Sequence, residues 1–165
     1  MTDETTPEAQ AAADNTQQGA LAIQKIYVKD LSFEAPGTPM VFTEEWKPTV
    51  DLHVGTEANP VEGDMHEIVL TVTVTLKFAE KSVYVAEVQQ AGLFLIQNFP
   101  DQHRQAVLAT VCPNILFPYA REAISDIVTR GGFPQMLLAP VNFEHLYAQE
   151  LQRRQQEQVA GAGSH

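Results

Sequence analysis

Val-Cys-Pro-Asn-Ile-Leu-Phe-Pro-Tyr-Ala-Arg-Glu-Ala-Ile-Ser-Asp-Ile-Val-Thr-Arg-Gly-Gly-Phe-Pro-Gln-Met-Leu-Leu-Ala-Pro-Val-Asn-Phe-Glu-His-Leu-Tyr, residues 111–147, is the stretch on which the fold turns. On either side of Pro118, the residues Leu116, Ala120, Ala123, Ile124, Ile127 and Val128 fall at helical spacing on one stripe. Arg121, Glu122, Ser125, Asp126 and Thr129 fall on the other. Pro113 and Pro118 are expected in or before the first turn, and Gly131-Gly132 followed by Pro134 reads as a stop. Such a helix needs an apolar surface to lie on. Past Pro140, Asn142 reads as the N-cap of a last helix carrying Phe143, Leu146, Tyr147 and Leu151.

Upstream, the pattern changes from helical to alternating. Residues 20–35 read as a long first strand, with Leu21, Ile23, Tyr27, Leu31 and Phe33 on one face. Ala22, Ile26, Val28, Asp30 and Glu34 fall on the other, so two carboxylates point the same way. Met40 to Pro48, with Phe42 and Trp46, reads as a connection, and a second strand is expected near Thr49 to Thr56. The third has the clearest period: Ile68, Leu70, Val72, Val74, Leu76 and Phe78 against Glu67, Thr71, Thr73, Thr75 and Lys77. Ala79-Glu80-Lys81 reads as a hairpin into a fourth strand over 82–97, and Asp101 to Val111 as a short helical piece. Strands in sequence followed by helices give an α+β fold: a four-stranded antiparallel meander, a long helix and a C-terminal helix.

Residues 1–19 lack aromatic and branched aliphatic side chains and read as a disordered acidic tail. One domain is expected over 20–151, and the Gln-rich, then Ala-Gly-rich, 152–165 as a flexible tail. The formal charge is −11, from 21 acidic against 10 basic residues, which disfavours nucleic acid and anionic membranes and favours basic partners. A single cysteine excludes an intrachain disulfide framework. Without a spanning apolar run or a basic, greasy leader, the expectation is a cytoplasmic protein with no membrane insertion.

Catalytic patterns are missing from the sequence. His53, His66, His103, His145 and His165 show no paired metal-ligand spacing, and there is no Cys-x-x-Cys. No nucleotide-binding loop or nucleophile elbow occurs, so neither cofactor nor metal is expected. Cys112 is the only possible thiol nucleophile; a position at a helix mouth could lower its pKa, but a cysteine before proline with no nearby histidine reads as packing. Function is therefore expected to come from binding.

Two binding surfaces stand out. Asp30 and Glu34 lie four apart on one strand face, and Glu87 lies on a strand face with Val83, Val85 and Gln89, reading either as a solvated sheet surface or as a dock for a basic partner. Phe42, Trp46, Phe133, Met136, Leu137 and Leu138 come from irregular segments, and Met with aromatics suits a surface accepting many sequences; they could equally close the core. Lengths argue further for self-association. Strand 67–78 spans about 40 Å, whereas a helix over 116–130 spans only about 22 Å and cannot cover the sheet. An obligate homo-oligomer with helices inside and threonine-rich faces outside follows.

The motifs at 112–122 and 132–143, with Ile-Tyr-Val-Lys-Asp-Leu-Ser-Phe-Glu-Ala-Pro at 26–36 and Glu-Val-Gln-Gln-Ala-Gly at 87–92, resemble the SecB family of bacterial protein-export chaperones. The resemblance covers roughly 21–150. It implies a homotetramer, a dimer of dimers, whose two sheets enclose long helices. It implies an ATP-independent holdase that keeps unfolded precursor proteins export-competent in long grooves and delivers them to the SecA motor ATPase. It further implies that Asp30, Glu34, Val85 and Glu87 meet the small zinc-binding C-terminal tail of SecA, with Val85 where the family has Leu. The alternative from the residues alone is an oligomeric adaptor that scaffolds a folded partner.

Overall fold

The computed structural model describes residues 18–163; the expected N-terminal tail up to 17, and His165, lie outside the described residues. Four antiparallel strands, β1 (Ala20–Glu34), β2 (Thr49–Pro60), β3 (Met65–Phe78) and β4 (Lys81–Gln97), form one sheet in the order β1-β4-β3-β2. The meander holds for β2, β3 and β4. It does not hold for β1, which bypasses its sequence neighbour and pairs with β4 at the opposite edge. The segment between β1 and β2, bearing a 3-10 turn at Met40–Thr43, crosses the end of the sheet to make this possible.

One face of the sheet carries the core. Ile68, Leu70, Val72 and Val74 of β3 and Ala86, Val88 and Phe94 of β4 are wholly buried, each on the alternate positions that period 2 assigns to one side. Across them lies one helical run: α1 (Asp101–Ala106), a π turn (Val107–Val111) and α2 (Cys112–Arg130). Leu116, Ala120, Ile124 and Val128, four residues apart, form its wholly buried seam against β3 and β4.

The helix does not start where its prolines led one to expect. Pro118 lies inside α2, and only Pro113 sits in its first turn. Both imino positions are accommodated locally. The Cys112 amide bonds the Val107 carbonyl five residues back, widening the turn just before Pro113. The carbonyl that Pro118 leaves free belongs to Asn114, and both residues are exposed, so water can serve it. The run over 101–130 is about 45 Å long at 1.5 Å per residue. It is therefore long enough to cover β3, and the length mismatch expected from a 15-residue helix disappears.

The helical lid stops short of the two outer strands. Ile23, Val28 and Leu31 of β1 and Val50 and Leu52 of β2 face the helix side yet stay 42 to 50% exposed. The uncovered apolar surface is thus at both sheet edges and not on the third strand.

β1 departs from the strict alternation expected of it. Its pairing with β4 skips a residue between Ile23 and Lys25 and again between Val28 and Asp30. Each bulge reverses the faces of everything that follows. Ile26 and Val28 therefore turn inward with Leu21, and Tyr27 turns outward, opposite to strict alternation. Asp30 and Glu34, both past the second bulge, still share the outer face.

The helix stop is as expected. Gly132 has φ +86°, Phe133 N–H reaches the Val128 carbonyl at 3.3 Å, and Gly132 N–H the Thr129 carbonyl at 3.0 Å. Gly131 is required for another reason: a Cβ there would meet the Phe33 ring at 2.4 Å. The last helix, α3 (Phe143–Ala162), begins on Asn142, whose side chain accepts the His145 N–H at 2.9 Å. It does not end at 151. Residues 152–162, expected as a flexible tail, continue the helix, laced by Arg153 to Glu150 and Glu157 and by Arg154 to Glu150.

Candidate functional site

The outer face of the sheet gathers the acidic residues. Register pairs Glu34 with Val85, Ser32 with Glu87 and Asp30 with Gln89, so Glu87 lies diagonally between the two carboxylates of β1. All four candidates, Asp30, Glu34, Val85 and Glu87, therefore occupy one outward patch. Thr73 Oγ1 on β3 donates to Glu87 Oε2 at 2.7 Å and fixes that carboxylate. Among the described residues, none of the three carboxylates is ion-paired.

Beside the patch is a group that strand alternation hides. Tyr27 and Lys29 of β1 both donate to Glu67 of β3, reaching over the intervening β4; the Lys29 Nζ to Glu67 Oε1 distance is 2.8 Å. The short side chain of Ala91, register partner of Tyr27, lets the ring cross, and Ala91 is wholly buried although it lies on the outer face. Hydrogen bonding from Lys29, and next from Tyr27, holds the Glu67 carboxyl below the usual carboxylate range. Burial first, then the bond and charge of Glu67, push the Tyr27 hydroxyl up to about 12. The residues concerned are about 40 positions apart in sequence, and no local pattern links them.

The apolar candidates divide. Phe42, Trp46, Phe133 and Met136 line one recess of about 430 Å³ at the sheet end, together with Pro48, Val50, Leu76 and Tyr84. Phe133 stands at its floor, with ring centroids 5.1 Å from Phe42, 4.7 Å from Tyr84 and 6.4 Å from Phe33. Trp46 leans on Phe78 at 5.8 Å. Leu137 and Leu138 are not in it. Leu138 is buried in the core, and Leu137, 70% exposed, borders a different hollow beside Pro118 and Arg121. The two differ because successive side chains in an extended segment point to opposite sides.

Another concavity, about 500 Å³, lies between β2, the π turn and α3, lined by Val54, Leu108, Phe143, Leu146 and Tyr147. It was not anticipated, because its walls come from three separate stretches of chain.

Cys112 is wholly buried, and burial pushes its thiol up to about 12, opposite to the lowering a helix mouth could cause. The thiol is accordingly expected to resist a disulfide reagent at pH 8 in the folded protein and to react at once in denaturant. Fast labelling of the native protein would contradict the packing role. Among the described residues no helix is long and apolar enough to cross a membrane.

Comparison with known proteins bears on all of this. The chain is 54% identical over 157 residues to the protein-export protein SecB of Pseudomonas fluorescens (strain SBW25), covering 95% of this chain and 96% of the relative. It is 54% identical over 152 residues to that of Ectopseudomonas mendocina (strain ymp), covering 92% and 94%. Among solved structures, the fold is shared with a Mycobacterium tuberculosis SecB-like chaperone in complex with a ChAD peptide from the HigA1 antitoxin. The TM-score is 0.62 at 18% identity, over 73% of this chain and 90% of the other. A family model described as preprotein translocase subunit SecB matches residues 14–154, and with identity above one half along nearly the whole length, the chain belongs to the SecB family.

Proposed function

We propose that the protein is an ATP-independent holdase of the bacterial cytoplasm that binds non-native precursor proteins and hands them to the SecA motor. The single observation that carries the reading is the pair of unlike surfaces on one subunit: an apolar aromatic recess at the sheet end and, on the outer face, an acidic patch without ion pairs among the described residues. Binding the unfolded form opposes folding and aggregation by mass action, which needs no nucleotide. Phe42, Trp46, Phe133 and Met136 hold apolar client segments in this reading, with Leu137 bordering a second contact and Leu138 supporting from the core.

Asp30, Glu34 and Glu87 take the basic, zinc-binding tail of SecA, with Val85 as the apolar centre. Opposite charge speeds encounter and sets register. The subunits assemble as a homotetramer, a dimer of dimers. The uncovered apolar strips on β1 and β2 and the unpaired outer edges of those strands favour this assembly. Recesses repeated around it let one unfolded chain bind several at once, each weakly and together tightly.

The test is a refolding assay. Stoichiometric protein without nucleotide is expected to delay the refolding of an unrelated denatured enzyme. Phe42→Asp, which places a charge on a side chain 54% exposed at the recess rim, is expected to weaken that delay roughly tenfold. Its melting temperature should change little. An unaltered refolding rate with the native protein would favour the adaptor reading, and native mass should read four subunits.

A further inference from the structure

The second bulge of β1 falls beside the acidic patch. Val28 pairs with Gln90 and Asp30 with Gln89, leaving Lys29 as the extra residue. An extra residue at a bulge lets two successive side chains emerge on one face. Lys29 and Asp30 do so here, rooting a basic side chain next to the first carboxylate of the patch. Its ammonium is engaged elsewhere: it lies 2.8 Å from Glu67 Oε1, and the Tyr27 hydroxyl holds the same carboxylate on its other oxygen. The Glu67 side chain is only 16% exposed, so its position is confined between the two donors.

We propose that Glu67 is a positioning residue for partner docking: by sequestering the Lys29 ammonium over β4, it leaves Asp30, Glu34 and Glu87 uncompensated toward a basic partner. The inference rests on the docking role given to the patch above. Without Glu67, the freed Lys29 ammonium sits beside Asp30 and cancels one of three carboxylate charges. Glu67 itself need not touch the partner. Its effect passes through Lys29, and removing both charges together should therefore restore the patch.

The test titrates a zinc-loaded C-terminal peptide of SecA into the full-length protein by calorimetry, at low and at high salt. Glu67→Gln is expected to weaken binding about fivefold at low salt, with the difference shrinking as salt screens the freed ammonium. The double variant Lys29→Gln, Glu67→Gln is expected to return within about twofold of the starting protein, a rescue that loss of strand geometry could not produce. Lys29→Gln alone, with Glu67 retained, is expected to bind as tightly as the starting protein or up to about twofold more tightly, since the ammonium it removes is already held away from the patch. Should Glu67→Gln not fold, this single variant decides: weaker binding, or a gain beyond about fivefold that marks an ammonium already compensating the patch, overturns the inference.

Asp30→Lys separates the two levels. If it weakens binding and Glu67→Gln does not, the positioning role fails while the docking surface stands. A double variant as weak as Glu67→Gln also overturns it. If Asp30→Lys has no effect, the docking surface itself is wrong and the role of Glu67 falls with it.

Discussion

Glu87→Lys is expected to weaken capture of the zinc-loaded SecA tail by roughly ten- to a hundredfold at low salt, because one attraction is replaced by one repulsion. Glu87 is the most exacting position for this change. It lies diagonally between Asp30 and Glu34, and Thr73 already fixes its carboxylate at 2.7 Å, so little ordering remains to be done on binding. Much of the loss should appear in the association rate and should diminish as salt is raised. Client binding should be untouched, since the recess containing Phe133 is on the helix side and at the end of the sheet. Calorimetry for the tail and a refolding assay for clients measure the two separately. An equal loss of both would point to altered folding or assembly and remove the reason for assigning this surface to a partner.

Phe133→Ala is expected to cost about 3–5 kcal/mol of stability and to abolish most client retention at the same time. Phe133 is 5% exposed and its ring stands within 6.4 Å, centroid to centroid, of Phe33, Phe42 and Tyr84. Truncation opens a hole between rings that cannot close independently, because Phe33 is also confined by the backbone of Gly131. Urea unfolding at fixed protein concentration measures the loss. A change below about 1 kcal/mol would show that the aromatic cluster relaxes freely and forms no rigid floor. The contrast with Phe42→Asp, which should spare stability and reduce retention, separates floor from rim.

The seam of α2 was legible in sequence because Leu116, Ala120, Ile124 and Val128 repeat every four residues, and β3 because its alternation is unbroken. Regular periodicity broadcasts its own geometry. The errors lie where the period is interrupted. Ile26 and Tyr27 were assigned to opposite faces from those they occupy because a single extra residue in β1 leaves no compositional trace. The helical run was shortened because Pro113 and Pro118 normally mark a start, whereas here a π turn and an exposed Asn114 carbonyl absorb them.

Within the candidate site, even spacing on a single strand made it legible that Asp30 and Glu34 share a face and that Val85 and Glu87 share one; that the two pairs belong together came from the family resemblance, and their adjacency from the β1–β4 register. The separation of Leu137 and Leu138 from Phe133 and Met136 was not, since an extended segment carries no period long enough to orient it. Glu67 was visible only as one more polar residue on a wet face. Its engagement with Tyr27 and Lys29 depends on β1 lying two strands away, which follows from long-range pairing.

That pairing also sets a timetable for synthesis. β1 is made first of the four strands, yet its hydrogen-bonding partner is completed only at Gln97. At about 5–20 residues per second, the ribosome leaves this N-terminal ribbon waiting for roughly three to twelve seconds. During that interval Ile23, Val28 and Leu31 are exposed on a chain that has nowhere yet to dock. A nascent polypeptide of this kind passes through the very condition from which, once assembled, it protects others.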